Sequence, residues 1–212
     1  MRAAEQLGSP DAAVQADAEN RLKVMGEEAV AALAQVANRP VPPGERPSLA
    51  QKNAIRLLGD MALSGSGVGA KAADELVLLV ASPRPEIAGH AAAALKPMGH
   101  AALRLLAPVA MGPDQARARP ARSAMVLIDE IATIDLMVGA LSGGARYGAT
   151  EPDIIAALGD LTHNDFGYDP AQTKEERQIV VEKWVRWWTD AREHYKKPIR
   201  AEEFVPKADA KK

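Results

Sequence analysis

The first 146 residues contain no aromatic side chain. All eight aromatics (Tyr147, Phe166, Tyr168, Trp184, Trp187, Trp188, Tyr195, Phe204) come later in the 212-residue chain. The earlier part must therefore build its core from Ala, Leu, Val, Ile and Met. Alanine supplies 42 of the 212 residues, and small side chains of high helix propensity suit closely packed helices. The alternating β-branched and aromatic runs that strands need are absent there.

Apolar residues recur at spacings of three and four, broken by Gly and Pro, which predicts pairs of amphipathic helices. The first starts at Ser9-Pro10-Asp11, with Ser9 as cap, Pro10 in the first helical position and Asp11 favouring the positive helix end. It carries Val14, Ala18, Leu22 and Met25 on one stripe and stops at Gly26. A second helix runs on to the loop at Pro40-Val41-Pro42-Pro43-Gly44. Further pairs are expected over 47–63 and 69–81, over 85–96 and 99–110, and over 113–131 and 133–141. Pro120 lies near a helix start or kinks it. Short starts are read at residue 3 and at Thr150-Glu151-Pro152-Asp153.

An internal repeat supports this division. Leu22-Lys23-Val24-Met25-Gly26 matches Leu95-Lys96-Pro97-Met98-Gly99 at an offset of 73. At that offset Ala29, Leu33, Ala34, Val36, Ala37 and Pro40 meet Ala102, Leu106, Ala107, Val109, Ala110 and Pro113. The offset is two units of about 36 residues.

Two-helix units of this length, opened by Ser9-Pro10-Asp11, Arg84-Pro85-Glu86 and Gly112-Pro113-Asp114 and followed by Ala-rich helices, resemble HEAT repeats. The nearest subtype is the short bacterial form seen in phycobilisome-lyase-like repeats. Gln15 and His90 stand at or beside the place where many such repeats carry an Arg, which leaves the inter-unit ladder of that Arg without its residue. The resemblance covers roughly residues 5–160. It implies an all-α fold, an α-solenoid of antiparallel helix pairs wound into a HEAT-like superhelix, with the second helices lining the inner face. Residues 1–161 are read as the repeat array, 162–197 as an ordered turn plus a capping helix, and 198–212 as a disordered tail.

In the second region, Thr173-Lys174-Glu175-Glu176 is a capping box, so a helix is predicted from Lys174 to about Tyr195. Val180, Trp184, Trp187, Trp188 and Ala191 share one face. Asp165-Phe166-Gly167-Tyr168-Asp169-Pro170 reads as a turn that Phe166 and Tyr168 anchor and Gly167 permits. The block resembles a C-terminal element of bacterial HEAT-repeat proteins, which implies a fold family and no activity. Phe166, Tyr168, Trp184, Trp187 and Trp188 are taken as an aromatic cap on the array, the alternative being an exposed platform for a sugar, base or peptide. From Lys196 onward six basic and three acidic residues leave a surplus of +3, read as a solvated tail.

Few residues carry chemistry. The chain has no cysteine, which excludes disulfides, thiolate metal sites and thiol nucleophiles. His90, His100, His163 and His194 show no helical metal-ligand spacing. His163 with Asp160 and Asp165 is the one His/carboxylate cluster, read as a network that fixes the turn. Asp129 and Glu130 are adjacent, hence on different sides of a helix. The Gly-rich stretches at 64–69 and 143–148 lack a phosphate-loop pattern. No cofactor, metal site or catalytic residue is assigned.

The net charge of −2 argues against a protein built to grip phosphate backbones, and no nucleic-acid partner is expected. The expected function is a non-catalytic scaffold that binds a protein or peptide on the inner face. Glu28, Gln35, Lys71, Asp74, Glu75, His100 and Arg104 lie off the apolar stripe of the second helices, and their mixed sign suits a protein surface. Self-association through an open N-terminal end is the further partner reading. The alternative is an enzyme: HEAT-like arrays occur in alkylpurine DNA glycosylases, and the lyase-like repeats suggest action on a bilin. No apolar run is long enough to span a bilayer. Cytoplasmic placement is the default, with a periplasmic or secreted one if a signal peptide was removed.

Overall fold

The computed structural model describes residues 2–42, 45–143 and 149–194. The tail 198–212, the bulk of the second Gly-rich stretch, and Tyr147, Tyr195 and Phe204 lie outside the described residues. Among those described, every regular element is helical: α1 (Arg2–Gln6), α2 (Ala12–Met25), α3 (Glu27–Ala37), α4 (Leu49–Ala62), α5 (Gly67–Val80), α6 (Pro85–Leu95), a 3-10 turn (Lys96–Met98), α7 (His100–Ala110), α8 (Gln115–Ser142), α9 (Glu151–Thr162) and α10 (Lys174–Arg192). No helix among them is long and apolar enough to cross a membrane.

The start signals work locally, with one shift. Asp11 rather than Ser9 caps α2, its carboxylate accepting the Ala13 N–H, while the Ser9 hydroxyl accepts the Asp11 N–H. Ser48 and Gln51 close a capping box on α4, Thr150 and Asp153 on α9, and Thr173 and Glu176 on α10. Each box satisfies orphan N–H groups of a first turn.

The repeat is visible in the backbone. Gly26 joins α2 to α3 with φ 62° and ψ −124°, and Gly99, 73 residues later, joins the α6 segment to α7 with φ 54° and ψ −126°. Both conformations belong to the positive-φ region that favours glycine, so the chain turns the same corner twice. Packing runs in chain order. α3 meets α4 and α5, α4 meets α5 and α6, α5 meets α6 and α7, and α6 and α7 both meet α8. Leu33, Leu57, Leu76, Leu95 and Leu106 are buried between successive layers, each worth about 1.5–3 kcal/mol relative to exposure. Small residues bring α4 and α6 together. A Cβ placed on Gly59 would stand 3.0 Å from the Cβ of Ala94 and 3.1 Å from its carbonyl oxygen.

Layers are also tied through carbonyls at helix C-termini, which lack intrahelical partners. The buried Gln51 amide donates to the carbonyls of Ala37 (3.4 Å) and Arg39 (3.0 Å). Arg122, 3% exposed, donates to the carbonyl of Ala110 at 2.9 Å. Ala37 and Ala110 are the equivalent last residues of α3 and α7 in the repeat. Amide and guanidinium thus do one job at two matching places. Each donor comes from the helix that follows, Gln51 from α4 and Arg122 from α8, and Gln15 and His90 take no part in these contacts.

α8 is two helical segments in one run. Asp129 has φ −162° and ψ 108°, extended backbone between them. Its carboxylate accepts the Ala132 N–H at 3.0 Å and its carbonyl accepts the Thr133 hydroxyl at 2.6 Å, which makes it the cap of the second segment. Asp129 and Glu130 are therefore not two neighbours on one helix, as their adjacency suggests. Pro120 lies in the first segment, and Pro108 lies inside α7.

At the N-terminus α1 packs on α2, α3 and α4 and buries Ala3 and Ala4, with Leu7 just beyond it. Asn53 holds the turn by donating to the Leu7 carbonyl at 2.8 Å. α1 thus lies against this end of the helices. What it leaves bare is the outer side of α2, a 14-residue helix whose fully buried residues are Ala18 and Leu22.

Candidate functional site

The second helices α3, α5 and α7 lie side by side, since α5 packs against both others. Their apolar stripes face the core, and the residues off the stripe form a continuous surface. Glu28, Ala31 and Gln35 are exposed on α3, Lys71 and Asp74 on α5, and His100, Arg104 and Pro108 on α7. Glu75, on the same helix α5, is half-buried. Leu78, 52% exposed, also lies on this face. The Lys71 ammonium meets Glu27 of α3 at 2.5 Å across the helix seam. Both groups are well solvated, so this pair contributes little stability and mainly orients charge.

Leu78 was invisible to periodicity because it sits in an apolar run. Its neighbours Leu76, Val77, Leu79 and Val80 are all buried, and a run in which every position is apolar does not reveal which one faces out.

A cleft of about 720 Å³ lies between α9 and the turn after it. Asp153, Asp160, His163, Asp165 and Tyr168 line it. Most of these polar groups are committed to the fold. Asp153 closes the α9 capping box. Asp165 accepts the Gly167 N–H at 2.8 Å, and Asn164 accepts the Phe166 N–H at 2.9 Å. His163 ends α9 in the left-handed conformation, φ 57°. Gln172 donates to the Gly167 carbonyl at 3.2 Å and accepts the Asp169 N–H at the same distance. These bonds lock the turn.

Asp160 reaches out of the cleft to Arg122 at 2.6 Å, and Gln115 accepts from the same guanidinium at 2.9 Å. Burial pushes Arg122 below its ordinary pKa, and the Asp160 carboxylate pushes it back up. Arg122 gave no signal in the sequence, where it is one more charge in an Ala-rich segment. On the far side Tyr168 donates to Glu151 at 3.3 Å, and Arg177 pairs with the same carboxylate at 3.1 Å. Burial first, then the Glu151 charge, raises the Tyr168 phenol above its usual pKa. Among the described residues no group of three or more His, Asp or Glu is placed to hold a metal ion.

The tryptophans form the wall of the core beside this cleft. Trp184, Trp187 and Trp188 are all buried. The Phe166 ring meets Trp184 edge-to-face at 4.8 Å, and Trp184 meets Trp187 in the same way at 5.5 Å. Trp188 donates its indole N–H to Asp135 at 2.6 Å, and Arg192 pairs with that carboxylate at 2.8 Å. The indole nitrogens of Trp184 and Trp187 are buried with no oxygen or nitrogen acceptor among the described residues. The exposed aromatic platform weighed from the sequence is therefore not present. These rings join α10 to α8, and Tyr168 stands apart from them on the cleft.

His90 and His100 are both exposed, on α6 and α7. Compared with protein-family models and with curated proteins, the chain matches none.

Proposed function

We propose that the chain is a non-catalytic scaffold, an α-solenoid of HEAT-like helix pairs that binds a protein or peptide on the face of α3, α5 and α7. The carrying observation is the composition of that face. The face carries charges of both signs, Glu28, Lys71, Asp74 and Arg104, and an exposed leucine, Leu78, near the C-terminal end of α5. Mixed charge beside an exposed apolar side chain suits a protein interface. A phosphate-binding face would carry one sign. The stacked reading is supported by the packing of α3 on α4 and α5, of α4 on α5 and α6, and of α5 on α6 and α7. The shared geometry of Gly26 and Gly99 supports it too. Units of this kind bury a continuous core only when stacked.

The test is affinity recovery from host lysate with the wild-type chain and with Asp74→Lys/Arg104→Glu. A photo-crosslinking residue at Leu78 is compared with one at Ile179, which is exposed on α10. The expected result is a protein recovered by wild type, recovered about tenfold less by the double reversal, and crosslinked from position 78 and not from 179. Equal recovery by the double reversal overturns the placement of the site.

A further inference from the structure

We infer that the segment taken by the proposed scaffold is an extended peptide laid across α5 and α7, with a basic side chain for Asp74 and an acidic one for Arg104. The inference rests on the scaffold reading above and names the chemistry of its partner. The three second helices share one register. Ala29, Ala72 and Ala102 align as buried residues, and so do Leu33, Leu76 and Leu106. In that register Lys71 aligns with Glu28, and the ion pair that Lys71 makes with the adjacent Glu27 joins α3 to α5 there. The exposed positions then fall into rows that cross the helices. Ala31, Asp74 and Arg104 make one row, and Gln35, Leu78 and Pro108 the next.

The charges on this face are not equivalent. Lys71 is taken by Glu27. Asp74 and Arg104 are exposed, and among the described residues neither has a hydrogen bond or an ion pair. They are row neighbours on helices that pack together, and packed helices lie about 8–10 Å apart. A ligand with a base and an acid at that separation satisfies both. Polyproline II rises about 3.1 Å per residue with three residues per turn, so side chains at i and i+3 lie about 9 Å apart on one side. A helical ligand fits less well, because it needs apolar anchors at successive turns in an apolar groove. Leu78 is the one exposed large aliphatic residue of α3, α5 and α7. Strand addition needs a sheet edge, and every regular element among the described residues is helical. Ala31 continues the row on α3 without charge, so the peptide is read at two points. Such contacts set specificity more than affinity.

A display library of random peptides, panned on the immobilised full chain, tests this. Wild type is expected to enrich opposite charges at i and i+3. Asp74→Lys leaves two cations on the row and is expected to enrich two acids at that spacing. Arg104→Glu leaves two anions and is expected to enrich two bases. Both positions are exposed, so neither change touches the core. A synthetic peptide selected on wild type is expected to bind each single reversal about tenfold more weakly. Reversing the facing charge of the peptide is expected to restore binding. One charge pattern enriched alike on all three proteins overturns the inference. Enrichment at i and i+7, about 10 Å apart on a helix, overturns it in favour of a helical ligand. A library that enriches nothing on wild type overturns it as well. The scaffold reading fails on a different result, the loss of crosslinking from position 78, so the two fail separately.

Discussion

The segment from α2 to α7 and the segment from α8 to α10 solve the same packing problem with opposite materials. In the first, no aromatic is available, and helices close on one another through Ala and Gly, as α4 does on α6 at Gly59 and Ala94. In the second, four rings, Phe166, Trp184, Trp187 and Trp188, fill the space where α10 meets α8. Small side chains spread stabilisation over many short contacts and make interhelical distance the sensitive quantity. Large rings concentrate it in a few residues and make their presence the sensitive quantity. Substitutions that remove volume should therefore hurt the second region most, and those that add volume should hurt the first.

The largest effect is expected at Trp184. It is fully buried, and truncation to Ala in a core costs about 3–5 kcal/mol. Trp184→Ala should lower the unfolding free energy obtained from urea titration by that amount, read by far-UV circular dichroism so that the lost fluorophore does not bias the result. A cost below about 1 kcal/mol would mean that the ring cluster collapses around the gap, and the contrast between the regions would fail.

Opposite signs are expected at two glycines of the first region. A Cβ on Gly59 meets Ala94 side chain and backbone, whereas one on Gly89 of α6 meets nothing within 4 Å. Gly59→Ala should destabilise by about 1–3 kcal/mol through overpacking, which outweighs the better helix propensity of Ala. Gly89→Ala should stabilise by about 0.5–1 kcal/mol, because there the propensity gain acts alone. Thermal melts of the two variants check this. The same sign in both would show that α4 and α6 move apart freely.

How much of this was legible before the structure differs between the same two regions. The helix pairs were readable because Gly26 and Gly99 punctuate a three-four rhythm, and both do turn the chain there. The break in α8 was expected about three residues late. It rests on the Asp129 cap, and an Asp followed by Glu in a long helical run looks like any surface charge. Contacts between layers were less legible. Gln51 and Arg122 carry no mark of burial in the sequence, and their bonds to the carbonyls of Ala37 and Ala110 account for it. On the candidate face, Lys71, Asp74 and Arg104 were readable as charges off an apolar stripe. Leu78 was not, for want of any polar residue beside it to fix the phase.

The smallest expected effect concerns acid, and it again divides the regions. The capping box of α4 uses Gln51, a neutral amide, while that of α10 uses Glu176. The Glu176 carboxylate accepts the Thr173 N–H at 2.8 Å and its hydroxyl at 2.9 Å. These bonds hold it below its usual pKa of 4.5, the backbone bond being the larger cause. A carboxylate whose pKa falls on folding contributes stability that is fully present above its unfolded value. That contribution is lost as pH drops through the lower folded value. The α10 cap should therefore hold at pH 5–7 and weaken below about 4.5, while the Ser48/Gln51 cap does not titrate. All three tryptophans lie on α10, so their fluorescence reports on this helix directly. Thermal melts followed by that signal should show a drop in midpoint from pH 5 to pH 3, and Glu176→Gln should make the drop smaller by fixing the cap in a neutral form. Equal acid sensitivity in the variant would place the titrating group elsewhere.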